Sequence, residues 1–340
     1  MVAVHSTARG PALGGCRMWH YDDARSAMRD ALRLARAMTY KSAVAGLPLG
    51  GGKGVIMLRG DGPLSPERRR AALEDFGDTV ELLGGAYVTA EDVGTSAADM
   101  EVIAERTAHV KGLARERGGS GDPSPFTALG VVTAIEVCCE RVFGSPSLAG
   151  RSVALAGLGH VGTHIAQRLA DAGAELLVAD VDERKREVAE RLGARWVTPE
   201  EAIAAPVDVY APCALGGILD DETVPGLRCR IVAGAANNQL ADDRIADLLN
   251  AHGVLWAPDF VANAGGIVNI SVELDGEYDP ARAEERVRGI GDTLRQVFDD
   301  AARVNATPLT AAMELARRNL AQAGGTMPAS ETETEPAGRL

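Results

Sequence analysis

A glycine-rich hexapeptide, GLGHVG at residues 157–162, leaves few folds open to the second half of this chain. Apolar, partly β-branched residues (SVALA, 152–156) precede it, and Val161, Ile165 and Leu169 follow at helical spacing. A strand, a turn with glycines first, third and sixth, and a helix together make a dinucleotide-binding turn. Gly157 permits the tight turn, Gly159 lets backbone approach a pyrophosphate, and Gly162 lets helix and strand pack closely. Leu158, His160 and Val161 complete a turn whose helix N-terminus would stabilise phosphate. Asp180 closes the next strand, LLVAD (176–180). Its carboxylate would accept hydrogen bonds from ribose hydroxyls and repel a 2′-phosphate, which favours NAD over NADP. The bland readings are a chance helix cap for the glycines and a strand-end turn residue for Asp180.

Around this turn, strands and helices alternate. A helix over 127–142 leads into SVALA. Beyond LLVAD come a helix from Asp182, strands at 207–212 and 230–235, a helix from Ala241 and a strand at 254–258. That alternation specifies a parallel sheet wrapped by helices. The 340 residues exceed one ordinary core, so two domains are expected. A Gly/Pro/Ser-rich stretch at 113–125 marks the crossing between them. The helical stretch 281–303 is expected to return the chain to the first domain, and a last helix to span 307–323. The boundaries predicted are 1–124 plus 307–325 for the first domain and 125–306 for the second, with a disordered polar tail at 326–340.

Composition removes several classes of function. A net charge of −13 argues against nucleic acid as a partner. No apolar run reaches membrane-spanning length, and the N-terminus lacks the pattern of a signal peptide. Five cysteines without a CxxC pair read as reduced thiols of a cytoplasmic protein, and the six histidines show no metal-ligand spacing. No metal is expected.

The first half carries a separate set of motifs: GPALGG (10–15), MTYK (38–41), LPLGGGKGV (47–55) and TAEDVGT (89–95). Residues 22–39 place Met28, Leu32, Ala35 and Met38 at helical spacing, with Asp22 or Asp23 as N-cap. A glycine-rich turn and a short strand, VIML (55–58), are expected next. A helix over 65–83 and a strand at 87–89 then lead into the acidic loop AEDVG. The glycines before Lys53 would clear side chains from the place where a ligand meets the lysine. Taken alone, Lys41 reads equally as a solvated surface cation, and Asp92 equally as an ordinary loop carboxylate.

Together with GDPSPFTALGV (121–131), AGAANNQL (233–240) and NAGGIVN (263–269), these motifs resemble the glutamate/leucine/phenylalanine/valine dehydrogenase family, in order, from about Gly10 to Ile270. The resemblance is to its bacterial valine and leucine branch. It implies an α/β protein of two domains with a cleft, an N-terminal α/β catalytic domain and a Rossmann NAD-binding domain. It implies that Lys53 is the catalytic lysine and that Asp92 exchanges protons with the substrate amine. Lys41 would hold the substrate carboxylate, with Gly14, Met38 and Asn238 also at the substrate. Thr127 and Asn237 would contact the nicotinamide side of NAD. A homo-oligomer is implied too, as is a helix and strand before HSTARGPALGG, where this chain begins.

The resemblance also speaks to the substrate. The family's glutamate branch binds the side-chain carboxylate with a lysine where this chain has Leu13. An apolar wall would leave that carboxylate unpaired, at a cost of several kcal/mol. Ala90, Ile267 and Ile270 would complete a narrow pocket for valine, leucine or isoleucine. One methylene changes binding by only about 1–3 kcal/mol, so phenylalanine stays as the alternative. A non-catalytic NAD-binding regulator would keep GLGHVG and lose Lys41, Lys53 and Asp92. A hydroxy-acid dehydrogenase would show a histidine base with an arginine clamp, and no such constellation is legible.

Overall fold

The computed structural model describes residues 1–59, 62 and 64–323. The expected tail at 326–340 lies outside them. The described residues form two compact units. The first comprises Met1–Pro123, Ile267–Pro280 and the chain from Leu315; the second comprises Ser124–Gly266 and Ala281–Glu314.

The first unit is built on a mixed five-stranded sheet. Strand β4 (Gly50–Leu58) is its spine. Strand β1 (Val2–Ser6) pairs antiparallel on one side of it, while β2 (Ala12–Leu13) and β3 (Cys16–His20) run parallel to it. Strand β5 (Tyr87–Val88) extends the sheet beyond β2. Helix α1 (Ala24–Val44) packs on β4, while α2 (Pro66–Glu81) and α3 (Ala97–Ala104) cover a core of Leu73, Phe76, Tyr87, Met100 and Ile103.

Two expectations need correction here. The glycines before Lys53 do not form a turn: Gly50, Gly51 and Gly52 are buried strand residues. A Cβ on Gly51 would lie 2.1 Å from the Thr39 nitrogen of α1, and one on Gly52 would lie 2.6 Å from the Tyr87 ring. Gly51 therefore lets α1 lie close to the strand, and Gly52 makes room for the Tyr87 ring of β5. The buried face of α1 differs as well. Ala27, Ala31 and Ala35 face inward, whereas Met28 and Leu32 are 53% and 55% exposed. Ala27 and Ala31 pack against Val55 of β4, and larger side chains there would hold the helix away from the strand. Asp23 is the N-cap, accepting from the Ser26 N–H at 2.7 Å. The helix runs on past residue 39 and carries Lys41 in its last turn.

The second unit holds a six-stranded parallel sheet in the order β11-β10-β9-β6-β7-β8. These strands are β6 (Ser152–Ala156), β7 (Glu175–Ala179), β8 (Arg195–Trp196), β9 (Val209–Pro212), β10 (Ile231–Val232) and β11 (Leu255–Trp256). Sequence order reverses between β6 and β9, the switch point at which doubly wound sheets bind ligands. Helix α4 (Ser124–Phe143) opens the unit, and α5 (His160–Asp171) follows β6. Helices α6 (Arg186–Arg191) and α7 (Pro199–Ile203) flank β8, and α8 (Ile245–Ala251) precedes β11. The sequence reading lacked the strands β1, β2, β3 and β8, whose pairing depends on distant residues, and the short helices α3 and α7.

The C-terminal course also differs from expectation. After α9 (Asp259–Ala262), helix α10 (Gly265–Ser271) carries the chain into the first unit at Ile267. The stretch expected over 281–303 is two helices, α11 (Pro280–Arg288) and α12 (Ile290–Val304), and α12 packs on α4 within the second unit. Return to the first unit comes later, along α13 (Pro308–Gln322). There Arg9 donates to the Asn319 carbonyl at 2.6 Å, and Asn319 donates to the Ala43 carbonyl at 2.8 Å.

Gly51→Ala is expected to lower stability by about 1–3 kcal/mol or more, because backbone must move to admit the methyl group. Gly226→Ala, with open space at its Cβ, should change it by less than about 0.5 kcal/mol. Urea midpoints of the two variants check this.

Candidate active site

Lys53 lies on the spine strand β4 and is only 3% exposed. A buried ammonium needs a counter-charge, and the Asp92 carboxylate supplies it by pairing with Nζ through Oδ2. Asp92 reaches this place because its loop lies against β3, where Cys16 bridges to Glu91. A Cβ on Gly15 would lie 2.7 Å from the Asp92 Cβ, so the second glycine of ALGG makes that approach possible. Thr95 braces the loop, donating to the Cys16 carbonyl at 2.8 Å and accepting from the Asp92 N–H at 3.0 Å.

The ion pair continues into a chain that the sequence reading missed. Arg17 on β3 donates through Nε to Asp92 Oδ1 at 3.1 Å and through Nη1 to Asp30 Oδ2 at 2.9 Å. Tyr21 donates to the same Asp30 oxygen at 2.6 Å. The clue was positional: Arg17 stands two residues after Gly15, on a strand whose neighbour is the lysine strand. Burial lowers the Lys53 pKa below the ordinary lysine range, against the opposing pull of Asp92. Burial alone would raise Asp92, but Lys53, Arg17 and the Val93 N–H outweigh it and hold the carboxyl below its ordinary value. Burial pushes the neighbouring Cys16 thiol up to about 12, so it stays protonated.

The other residues expected at substrate divide between the units. Leu13, Gly14, Ala90, Ile267 and Ile270 belong to the first unit and are buried. Met38 and Lys41 lie on α1 and are half-buried. A Cβ on Gly14 would sit 1.7 Å from the Gly52 carbonyl oxygen, so this glycine is required by packing alone. Asn238 belongs to the second unit, as do Thr127 and Asn237.

In the second unit GLGHVG joins β6 to α5. Gly157 has φ +109°, a conformation that favours glycine. A Cβ on Gly162 would lie 1.9 Å from the Gly157 carbonyl oxygen, whereas a Cβ on Gly159 would meet nothing within 4 Å. No side chain caps α5 at Gly159, so its first-turn N–H groups are available to an anion. His160 is exposed and Val161 half-buried at this end of the helix, while Leu158 is buried beneath it. Asp180 follows β7 and accepts from the Leu158 N–H at 2.6 Å and the Asp182 N–H at 2.9 Å. It therefore braces the glycine turn, and each oxygen keeps a lone pair for a ribose hydroxyl. The cradle fits a dinucleotide.

Asn237 and Asn238 lie on an exposed turn after β10, with Asn238 at φ +52°. Asn263 donates to the Asn237 Oδ1 at 2.9 Å. Gln239, another residue missed in the sequence, is fully buried and fastens this turn. It donates to the carbonyls of Gly234 and Ala236 at 2.9 and 3.1 Å and accepts from the Trp256 indole at 2.9 Å.

The chain is similar to known proteins along most of its length. The dimerisation-domain model of the Glu/Leu/Phe/Val dehydrogenases matches residues 1–109, and the Glutamate/Leucine/Phenylalanine/Valine dehydrogenase model matches 177–325. A leucine dehydrogenase of Geobacillus stearothermophilus is 43% identical over 94% of this chain and 86% of its own. The chain belongs to the glutamate/leucine/phenylalanine/valine dehydrogenase family. It is an NAD-dependent amino-acid dehydrogenase. A valine dehydrogenase of Streptomyces virginiae is 42% identical over 95% of this chain and 90% of its own. The crystal structure of L-tryptophan dehydrogenase from Nostoc punctiforme superposes with a TM-score of 0.82 at 37% identity, covering 95% and 92% of the two chains. The NAD-binding domain of D-isomer-specific 2-hydroxyacid dehydrogenases matches residues 137–211 only, a part of the parallel sheet that does not include Lys53 or Asp92. Among the described residues no helix is long and apolar enough to cross a membrane.

Asp92→Asn leaves the Lys53 ammonium buried without its counter-charge, and a loss of about 3–5 kcal/mol is expected. The lysine pKa, already lowered in the folded protein, falls further in this variant. The unfolded chain then binds more protons than the folded one between the lowered pKa and the ordinary lysine value, so stability rises with pH across that window. Urea midpoints of the variant at neutral and alkaline pH should therefore converge on the parent as pH rises.

Proposed function

We propose that the protein catalyses NAD-dependent oxidative deamination of a branched-chain L-amino acid, leucine or valine, to the 2-oxo acid and ammonia. The observation that carries the substrate choice is the apolar set Leu13, Ala90, Ile267 and Ile270, exposed by 2%, 4%, 7% and 8% in the unit that holds Lys53. Leu13 stands where the glutamate-binding relatives have a cation, and a dry apolar wall disfavours an acidic side chain. Two β-branched isoleucines narrow the space available to an aromatic one. The leucine and valine dehydrogenases above support the same reading.

In this reading Lys41 holds the substrate carboxylate, Gly14 and Met38 line the same unit's share of the substrate site, and Asn238 is a further substrate contact. Asp92 takes the proton of the substrate ammonium, leaving an amine lone pair that assists loss of hydride from Cα. NAD, when bound, supplies the hydride acceptor; Gly157–Gly162 and Asp180 hold its phosphates and ribose, and Thr127 and Asn237 its nicotinamide end. Lys53, with its pKa lowered by burial, removes a proton from water as water adds to the iminium carbon. Its charged form then stabilises the charge developing on oxygen, the hydroxyl proton passes to solvent as the C=O bond forms, and Asp92 returns its proton to the nitrogen that departs as ammonia. The protein acts on small molecules alone, as a cytoplasmic homo-oligomer.

Purified protein assayed by NAD reduction at alkaline pH should turn over leucine or valine well, phenylalanine poorly and glutamate hardly at all, with NADP a weak substitute. Preference for phenylalanine would overturn the pocket and leave the chemistry standing. Lys53→Met should reduce kcat by about a thousandfold, in line with loss of both a base and an oxyanion cation. Near-normal turnover in that variant would overturn the role of Lys53.

A further inference from the structure

The two oxygens of Asp92 have different tasks. Oδ2 meets Lys53, the group that must give and take protons. Oδ1 is held twice, by the Arg17 Nε at 3.1 Å and the Val93 N–H at 2.8 Å. Arg17 is held in turn at its other end by Asp30, which Tyr21 fixes through a hydrogen bond of 2.6 Å. Strand register explains how they meet. Arg17 stands opposite Val55, and Val55 shares a sheet face with Lys53 because side chains alternate along a strand.

The arrangement resolves a conflict in the chemistry. When Lys53 gives up its proton, Asp92 loses the cation that keeps it ionised. A guanidinium keeps its charge at every working pH, so Arg17 leaves Asp92 a counter-charge while Lys53 is neutral. We propose that Arg17, anchored by Asp30 and Tyr21, is a positioning residue that holds Asp92 in one orientation and keeps its carboxylate ionised, ready for the ammonium proton, when Lys53 is neutral. This rests on the roles given above to Lys53 and Asp92. Arg17 itself touches two carboxylates and no substrate atom is assigned to it.

The groups facing this pair can be named. Lys53 comes from β4, Arg17 and Cys16 from β3, Tyr21 from the loop after β3, and Asp30 from α1. Glu91 adjoins Asp92 in the chain, and Asp99 of α3 lies near enough to act on Cys16. Arg17 depresses the pKa of both Lys53 and Asp92, while Asp30 raises that of Lys53. Removing either charge therefore moves the acidic limb of the rate profile in opposite directions, whereas a merely structural clasp would give both variants the same defect.

The test uses the full-length protein with saturating NAD and the preferred amino acid. Arg17→Met should lower kcat by about thirtyfold and change KM by less than about threefold, the pattern of a lost interaction that matters in the transition state. Its acidic limb in kcat/KM should move to higher pH by about half a unit or more, and that of Asp30→Asn to lower pH. Arg17→Lys should restore part of kcat, and it carries the test if Arg17→Met does not fold. An unmoved limb in Arg17→Met, parent-like kcat in both arginine variants, or limbs moving the same way in Arg17→Met and Asp30→Asn, would overturn the proposal. Asp92→Asn is assayed alongside. If it is inactive while the arginine variants behave as the parent, only the positioning role falls; if it keeps full turnover, the reading of Asp92 falls and the positioning role with it.

Discussion

A lysine ammonium at 3% exposure cannot persist in a folded protein without a negative partner, and much of the first unit serves to bring Asp92 to Lys53. The partner comes from a loop far along the chain. It arrives because Gly15 lets that loop lie against β3, and because Thr95 ties the loop to the Cys16 carbonyl. The second carboxylate oxygen goes to Arg17, and Arg17 to Asp30 and Tyr21. Alternating charges on four side chains thus replace the water that burial removed. The same burial lowers the lysine pKa toward the range where it can act as a base.

Close approach of backbones is what makes this site dry. Gly14 meets the Gly52 carbonyl, Gly51 meets Thr39 of α1, and Gly52 meets the Tyr87 ring. Each contact excludes even a methyl group. Alanines on the inner face of α1 continue the same principle. The second unit uses it again at a different task, where Gly162 rests on the Gly157 carbonyl and the open side of Gly159 is left for a ligand. Asp180 joins the end of one strand to the glycine turn after another. The residue expected to choose between cofactors thereby also holds the phosphate turn in shape.

Much of this was legible beforehand, and for identifiable reasons. GLGHVG with its flanking strand and helix is a local pattern, and the observed strand order agrees with the doubly wound fold that it implies. The family resemblance singled out Lys53 and Asp92, which the structure joins in one ion pair. The face of α1 was misread because hydropathy favoured Met28 and Leu32, while the helix lies close enough to the sheet that alanines fill the space against Val55. The glycines themselves were misread as a turn, since nothing local distinguishes a glycine that bends the chain from one that lets a helix lie close. Arg17, Asp30 and Gln239 were missed because arginine, aspartate and glutamine are ordinary surface residues until a fold surrounds them.

The sequence by itself determined the chemistry on offer: a dinucleotide turn, two lysines and a carboxylate in family motifs, and a leucine where a cation would select an acidic substrate. Tertiary structure alone decided which of those groups meet. A hydrogen bond from Arg17 to Asp92 spans 75 positions in the chain, and no periodicity or motif encodes a contact of that range. It depends on the register of β3 against β4 and on the clearance at Gly15, both properties of packed backbones rather than of any local run of residues.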